Sequence, residues 1–195
     1  LKSPGSMGFD IVVAEGQSMG SPLSFGGPTV GWFATRKELA RLVPGRIIGE
    51  SRDSNNTKTY VMTLRAREQD IRREKASSNI CTNQTLNAVG STIHLSWLGP
   101  EGLYEIGYQA IQKASYMKQL LSDNNFNVLN QTTSLREFLV ETNRSAEEVI
   151  LDMGSKGFLA GIKYDDNKIL VAVTEKRTKT QIEEYVESLT EVNNA

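Results

Sequence analysis

Cysteine and histidine are almost missing from this sequence of 195 residues, which contains one of each. A single thiol cannot form an intramolecular disulfide, so the chain fits a reducing compartment and we expect a cytoplasmic protein. A zinc site needs several His or Cys ligands at short spacing, and no such group is present. We therefore expect no metal site. We interpret His94, between Ile93 and Leu95, as a structural histidine rather than a catalytic one.

Long apolar runs and excess charge are also missing. The longest apolar run is residues 169–173, far shorter than the ~20 residues of a membrane span. The net charge of −1 argues against binding to nucleic acid or to a membrane surface. This balance hides a contrast, because residues 36–75 contain eleven basic and six acidic residues, whereas residues 137–191 contain seven basic and twelve acidic ones. We interpret the basic stretch as a solvated face.

The first half of the chain alternates short apolar segments with turn-forming residues. Asp10–Ala14 is apolar and β-branched, which predicts a buried strand. The other elements predicted here are a strand at 30–35, a short helix at 36–42, a hairpin of 47–48 with 60–64 around a polar tip at 50–59, and a helix at 66–75.

The second half has clearer periodicity. A helix is predicted from near Thr82 to Leu98, with a break at Gly99-Pro100 and a second helix over 100–122 whose apolar residues face a core. From residue 126 onward the pattern predicts the order ββαββα. Its elements are strands at 126–129 and 137–140, a helix capped by Ser145 with Glu148 and closed by Gly154 and Gly157, a hairpin of 158–164 with 169–174, and a last helix capped by Thr178 or Thr180.

Two segments are candidates for a binding site. The glycine loop of residues 24–28 lies between strands, where it allows a close approach of a ligand or another backbone, although a plain turn is the better explanation. Residues 72–84 place cations, hydroxyls and amides at a predicted helix start, which favours an anion such as phosphate. An N-cap with solvated arginines explains this segment equally well. Cys81 in this segment is a weak candidate for a reactive thiol.

Several motifs resemble the P-protein of the glycine cleavage system, and they match subunit 1 of its two-subunit form most closely. The resemblance covers essentially the whole chain and is most specific over residues 71–82. The matching motifs are Glu15-Gly16-Gln17-Ser18-Met19-Gly20-Ser21-Pro22-Leu23-Ser24-Phe25-Gly26-Gly27-Pro28, Pro44-Gly45-Arg46-Ile47-Ile48-Gly49, Arg67-Glu68-Gln69-Asp70-Ile71-Arg72-Arg73-Glu74-Lys75, Ser78-Asn79-Ile80-Cys81-Thr82-Asn83-Gln84 and Gly99-Pro100-Glu101-Gly102-Leu103.

The resemblance implies an α/β fold, that of the pyridoxal-phosphate (PLP)-dependent transferases of fold type I, similar to aspartate aminotransferase. It implies that residues 1–98 are the C-terminal part of the large domain and residues 99–195 an α+β small domain, so that the chain begins inside a longer subunit. It also implies an oxidoreductase, glycine dehydrogenase (aminomethyl-transferring), with glycine as substrate. The PLP ring accepts electrons as CO2 leaves, and the aminomethyl group passes to the lipoyl group of the H-protein.

The sequence differs from the family's catalytic pattern at the lysine that holds the cofactor, and this difference predicts the role of this chain. PLP enzymes hold their cofactor on a lysine, yet no lysine lies between Lys2 and Lys37, and Gln17-Ser18 stand where the catalytic subunit has a His-Lys pair. We therefore expect no catalytic residue in the 10–28 loop and a cofactor held by subunit 2. Residues that we expect near the cofactor phosphate or substrate entry of that partner are Ser77, Ser78, Asn79, Thr82 and Asn83.

A different class of function stays open beside this one. The chain could have kept the fold without the activity, as an interaction or scaffold module. In that case it would bind neither subunit 2 nor an H-protein complex. A nucleic-acid binder is the weakest alternative, because acidic residues interrupt the basic stretch and few aromatic side chains there could stack on bases.

Overall fold

A computed structural model describes residues 2–43, 47–63, 84–129 and 132–195. The chain divides into two compact units, residues 1–99 and residues 100–195. The helix predicted over 66–75 and the helix start predicted at Thr82 lie outside the described residues. No helix in the described part of the chain is long and apolar enough to cross a membrane.

The strands of the first unit form two separate antiparallel pairs. Strand β1 (Ile11–Glu15) pairs with β2 (Gly31–Thr35), and β3 (Ile47–Arg52) pairs with β4 (Lys58–Thr63). The short helix predicted at 36–42 is a 3-10 helix, Lys37–Leu42, and another 3-10 helix, Pro4–Met7, precedes β1. The strands expected in this unit are therefore present.

Strand β1 differs from its prediction as a buried strand. Its side chains are mainly exposed, with Val13 at 70% and Ile11 at 53% of their free accessibility. Among the described residues of the first unit, Val30 is the one hydrophobic side chain that is buried. A two-stranded ribbon leaves both faces open, so an apolar sequence alone cannot bury β1.

The β3–β4 hairpin is longer than predicted, because its turn is tighter. Pairing continues to Arg52 opposite Lys58, which leaves a tip of residues 53–57 instead of 50–59. The Asp53 carboxylate accepts hydrogen bonds from the backbone N–H groups of Asn55 (2.8 Å) and Thr57 (2.9 Å). This side chain closes the turn locally, so the polar residues beside it can continue the strands.

Helix α1 (Thr85–Asp123) contains the predicted break. Gly99 interrupts it with a left-handed φ of 65°, and Pro100 begins the next turn. After the break the helix buries the predicted apolar residues, with Ala110, Ala114, Met117 and Leu121 almost fully enclosed. The sequence predicted this interruption because glycine adopts positive φ easily and proline suits a first helical turn.

The second unit is a four-stranded antiparallel sheet with helices packed on one face, in the predicted order ββαββα. The strands lie in the order β5-β6-β8-β7. Alternate residues of the central strands, Phe138 and Val140 on one and Ile169 and Val171 on the other, enter the core. The elements are β5 (Asn127–Val128), β6 (Glu137–Glu141), α2 (Ala146–Ser155), β7 (Ile162–Asp165), β8 (Lys168–Ala172) and α3 (Lys179–Asn193).

Strand β7 starts four residues later than predicted, because the preceding residues end helix α2. Gly157 has a left-handed φ of 86°, and the N–H of Phe158 donates to the carbonyl of Met153 (3.0 Å). This is the Schellman arrangement, which satisfies the last carbonyls of a helix. Gly154 was predicted to close the helix as well, but it lies inside α2. The predicted strand at 158–164 is therefore wrong over residues 158–161.

Helices α2 and α3 each have a side-chain cap at the N-terminus. Ser145 caps α2 by accepting a hydrogen bond from the Glu148 N–H (3.3 Å), which is the backbone half of the predicted box. The complete reciprocal box lies at α3, where Thr178 Oγ1 accepts from the Gln181 N–H and Gln181 Oε1 accepts from the Thr178 N–H. Thr178, rather than Thr180, is the cap.

Replacing Thr178 with Ala should lower the free energy of unfolding by about 1 kcal/mol, because the free N–H groups of the first turn lose their acceptor. The matched control is Thr180→Ala, an exposed threonine inside the first turn of the same helix. It should change the free energy by a few tenths of a kcal/mol at most, since alanine favours helices. Urea unfolding followed by circular dichroism at 222 nm measures both. Equal losses in the two variants would contradict the assignment of the cap.

Candidate functional site

The glycine loop between β1 and β2 is the best-defined candidate site among the described residues. Its ends meet where the Gly16 N–H donates to the Val30 carbonyl (2.7 Å), directly beside the pairing of Glu15 with Gly31. Residues 16–30, the β1–β2 loop, therefore leave the ribbon and return to it at a single point.

Two side chains at the start of the β1–β2 loop organise it. The Glu15 carboxylate accepts hydrogen bonds from the N–H groups of Gln17 (2.8 Å) and Val30 (3.1 Å). The Gln17 amide nitrogen donates to the carbonyls of Leu23 (3.4 Å) and Pro28 (3.2 Å). Gln17 thus bonds to both arms of the loop, and its polar group is used for structure.

The tip of the loop has an unusual backbone and an exposed apolar side chain. Ser24, Phe25 and Gly26 have positive φ values of 42°, 56° and 109°, and the Leu23 carbonyl accepts from the N–H groups of Gly26 and Gly27. Such conformations cost about 1–3 kcal/mol at non-glycine residues and persist where neighbouring contacts impose them. The Phe25 side chain is fully exposed. The tip is therefore a turn, as the sequence favoured, in which two non-glycine residues have positive φ.

The β1–β2 loop packs closely against helix α1 at Gly20. Gly20 has a φ of 101°, and a Cβ atom added to it would lie 2.8 Å from His94 Cβ and 2.9 Å from the Gly90 carbonyl oxygen. The Asn87 amide adds a hydrogen bond to the Thr29 carbonyl (3.1 Å). Half-buried His94 therefore takes part in packing, which agrees with its interpretation as a structural residue.

The described residues of this site do not fit covalent attachment of an aldehyde cofactor. The β1–β2 loop contains no lysine. Lys37 is exposed outside the loop, and Lys58 forms an ion pair with Glu50 (Nζ to Oε2, 2.8 Å). The pKa of Lys58 is raised, mainly by its hydrogen bond to Glu50 and to a smaller extent by one to Tyr60. Both hydrogen bonds favour the protonated amine. A lysine forms a Schiff base through its neutral amine, so this environment disfavours that reaction.

The five residues predicted near a phosphate belong to a segment of the chain that the structure does not describe. They are Ser77, Ser78, Asn79, Thr82 and Asn83, and Cys81 lies outside the described residues as well. Within the described part of the chain, no three His, Cys, Asp or Glu side chains converge as they would at a metal centre. The contributions of Glu15, Gly20 and Asn87 were not predicted, since each depends on a partner that is distant in sequence or on the path of the loop.

The comparisons with known proteins agree with the fold. A family model described as "Glycine cleavage system P-protein" matches residues 1–189. Two curated relatives, each named "Probable glycine dehydrogenase (decarboxylating) subunit 1", come from Staphylococcus haemolyticus (44% identical, 100% of this chain) and Chlorobium phaeobacteroides (45% identical, 97% of this chain). This chain spans 44% of the length of each relative.

A solved structure gives the same result for the fold. The crystal structure of glycine decarboxylase (P-protein) of the glycine cleavage system, in inhibitor-bound form, is 36% identical with a TM-score of 0.89. The match covers 98% of this chain and 45% of that one. It confirms the α/β fold class, that of the PLP enzymes of fold type I, which the sequence motifs had indicated.

Adding a methyl group at Gly20 should detach the β1–β2 loop from helix α1, because the new Cβ would overlap the Gly90 carbonyl. The matched control is Gly26→Ala, which has a similar positive φ (109° against 101°) but nothing within 4 Å of the added Cβ. Hydrogen–deuterium exchange with mass spectrometry should show at least about tenfold faster exchange of loop amides in Gly20→Ala than in Gly26→Ala. Equal exchange in both variants would show that backbone strain, not packing on α1, controls the loop.

Proposed function

Because the chain belongs to the glycine cleavage system P-protein family, we propose that it is part of subunit 1 of a two-subunit glycine dehydrogenase (decarboxylating). In the assembled enzyme, glycine loses CO2 on pyridoxal phosphate, and its aminomethyl group passes to the lipoyl group of the H-protein, which makes the enzyme an oxidoreductase. Subunit 2 holds the cofactor. The site of action is the cytoplasm, and this chain is inactive alone.

The observation that supports this role most directly is the lysine-free β1–β2 loop. Gln17 bonds to both arms of the loop, so the position has a structural task in place of a catalytic one. The names of the relatives, "subunit 1", imply a second subunit that can supply the missing lysine. We therefore propose a division of labour in which this subunit supports the active site of its partner.

The exposed apolar residues of the first unit support a place in a larger assembly. They occur on the β1–β2 ribbon at Val13, on the β3–β4 ribbon at Ile48, and on α1 at Leu86, Ile93 and Trp97. Apolar areas of this kind mark surfaces that other protein covers. We propose that residues 1–98 are the C-terminal part of a large PLP-type domain and residues 99–195 its small domain. The remainder of subunit 1 and subunit 2 would then share these surfaces.

Residues 72–84 have a place in the same proposal. Ser77, Ser78, Asn79, Thr82 and Asn83 would lie at the subunit interface, near the cofactor phosphate or the substrate entry of subunit 2. The support is chemical, because hydroxyl, amide and backbone N–H donors at the predicted helix start would favour a phosphate. A structure of the complex with none of these residues near the cofactor would remove this part of the proposal.

Glycine-dependent exchange of labelled CO2 tests the division of labour. Full-length subunit 1 and full-length subunit 2, each inactive alone, should show exchange when they are mixed with PLP and lipoylated H-protein. Activity of subunit 2 alone would contradict the proposal. A subunit 1 that binds neither subunit 2 nor the H-protein would favour the scaffold alternative.

Borohydride reduction tests where the cofactor is held. Reduction of the PLP-loaded complex, followed by peptide mass spectrometry, should find the pyridoxyl group on a lysine of subunit 2. The matching peptides of subunit 1, including those with Lys37 and Lys58, should stay unmodified at stoichiometric cofactor. A stoichiometric label on either lysine would show that this chain binds the cofactor covalently.

A further inference from the structure

A cavity of about 560 Å3 lies in the second unit, beside the end of β8. Its walls are the segment Gly157–Ala160, residues 171–174 and the first turns of α3. The volume falls in the range of about 300–1,000 Å3 that is usual for small-molecule sites. All of its lining residues belong to the second unit, so the cavity is separate from the β1–β2 loop of the first unit.

The cavity exists because β8 is longer than its neighbour β7. The pairing with β7 ends where Ile162 lies opposite Leu170, whereas the pairing with β6 continues to Ala172 and the Val173 N–H donates to the Arg136 carbonyl. Residues 158–160, which follow helix α2, run apart from β8 over this length, whereas Gly161 lies close to it. The space beside β8 is therefore a consequence of the chain path.

The outer wall of the cavity is fixed by a buried hydrogen bond. The Tyr185 hydroxyl donates to the Ala160 carbonyl (2.5 Å), and burial raises the pKa of this phenol, so it remains a donor. Gly161 approaches β8 so closely that an added Cβ would lie 2.5 Å from the Leu170 carbonyl oxygen. These two contacts, at Ala160 and Gly161, hold the wall in place, so the cavity is formed before a ligand binds.

The interior of the cavity is apolar and partly aromatic. The rings of Phe158 and Tyr185 meet edge to face, with centroids 5.7 Å apart. Val173, Ile182 and Met117 are among the other apolar residues of the lining. A third aromatic ring could pack against such a pair, since edge-to-face and offset contacts between rings are favourable.

Two opposite charges of the lining distinguish this cavity from a plain apolar groove. Arg177 and Glu184 both line it, and among the described residues neither side chain forms an ion pair or hydrogen bond. By contrast, the neighbouring Lys179 and Glu183 of α3 do pair with each other (3.6 Å). The free guanidinium can hold a carboxylate with two hydrogen bonds, and the free carboxylate can hold an ammonium group.

We propose that this cavity binds a free α-amino acid with an aromatic side chain. The ring enters the apolar interior beside Phe158 and Tyr185, Arg177 binds the carboxylate, and Glu184 binds the ammonium group. Glycine cannot use this site effectively because it has no side chain to fill the apolar space. The ligand is therefore different from the glycine of the proposed reaction, and the inference stands independently of that function.

The probe is L-phenylalanine, added to the 15N-labelled chain of 195 residues and followed by NMR up to about 10 mM, which covers millimolar affinities. Saturable shifts should appear at the amides of residues 157–161 and 171–174. Three compounds test the parts of the ligand: 3-phenylpropanoate keeps the carboxylate, 2-phenylethylamine keeps the ammonium group, and glycine keeps both without the ring. Each should bind at least about threefold more weakly than phenylalanine.

Two matched pairs of variants test the charges. Arg177→Ala and Glu184→Ala should each weaken phenylalanine binding about fivefold, through loss of one charged contact. Their controls, Lys176→Ala and Glu187→Ala, remove the same charges nearby on residues that do not line the cavity, and should leave binding unchanged. All four positions are exposed, so the variants should keep the parent spectrum.

Three results would overturn the proposal. One is the absence of localised shifts with phenylalanine at the highest concentration. Another is equal binding of phenylalanine and 3-phenylpropanoate, which would remove the role of Glu184. The third is a loss of phenylalanine affinity in the control variants as large as in Arg177→Ala and Glu184→Ala. Such a result would mean that the overall charge near α3, and not these two side chains, controls binding.

Discussion

An apolar face of a β-sheet is buried only when another layer covers it, and this constraint separates the two units of the chain. In residues 100–195 the end of α1, together with α2 and α3, covers one face of the four-stranded sheet. Phe138, Val140, Ile169 and Val171 are enclosed there as a result. The two ribbons of the first unit have no comparable layer among the described residues. Their apolar side chains therefore form surfaces rather than a core.

The same contrast connects the fold with the proposed function. A unit with its own core can hold a preformed cavity, whereas a unit of exposed ribbons is suited to contacts with further protein. The chain spans 44% of the length of its curated relatives. Within the first unit, the β1–β2 loop is nevertheless well defined. Its order comes from Glu15, Gln17 and the contact of Gly20 with α1.

Much of the secondary structure could be predicted, because its causes are local. The Gly99-Pro100 break and the buried stripe of α1 depend on residues within a few positions of each other, and so does the cap of α3, for which the sequence offered Thr178 or Thr180. The errors have tertiary causes. Strand β1 is exposed because nothing described covers its ribbon, and residues 158–161 leave the sheet because they complete the end of α2. The predicted phosphate-binding residues lie outside the described part of the chain.

The sequence by itself determined the order of the elements, the single cysteine and histidine, and the lysine-free interval between Lys2 and Lys37. It also contained the motifs that identify the family. The tertiary structure alone decided that Gly20 meets Gly90, that Asn87 bonds to Thr29, and that Arg177 and Glu184 line one cavity. Residue type and periodicity describe what a segment can do within a few turns. Contacts between residues tens of positions apart depend on how whole elements pack, and these contacts form both the loop and the cavity.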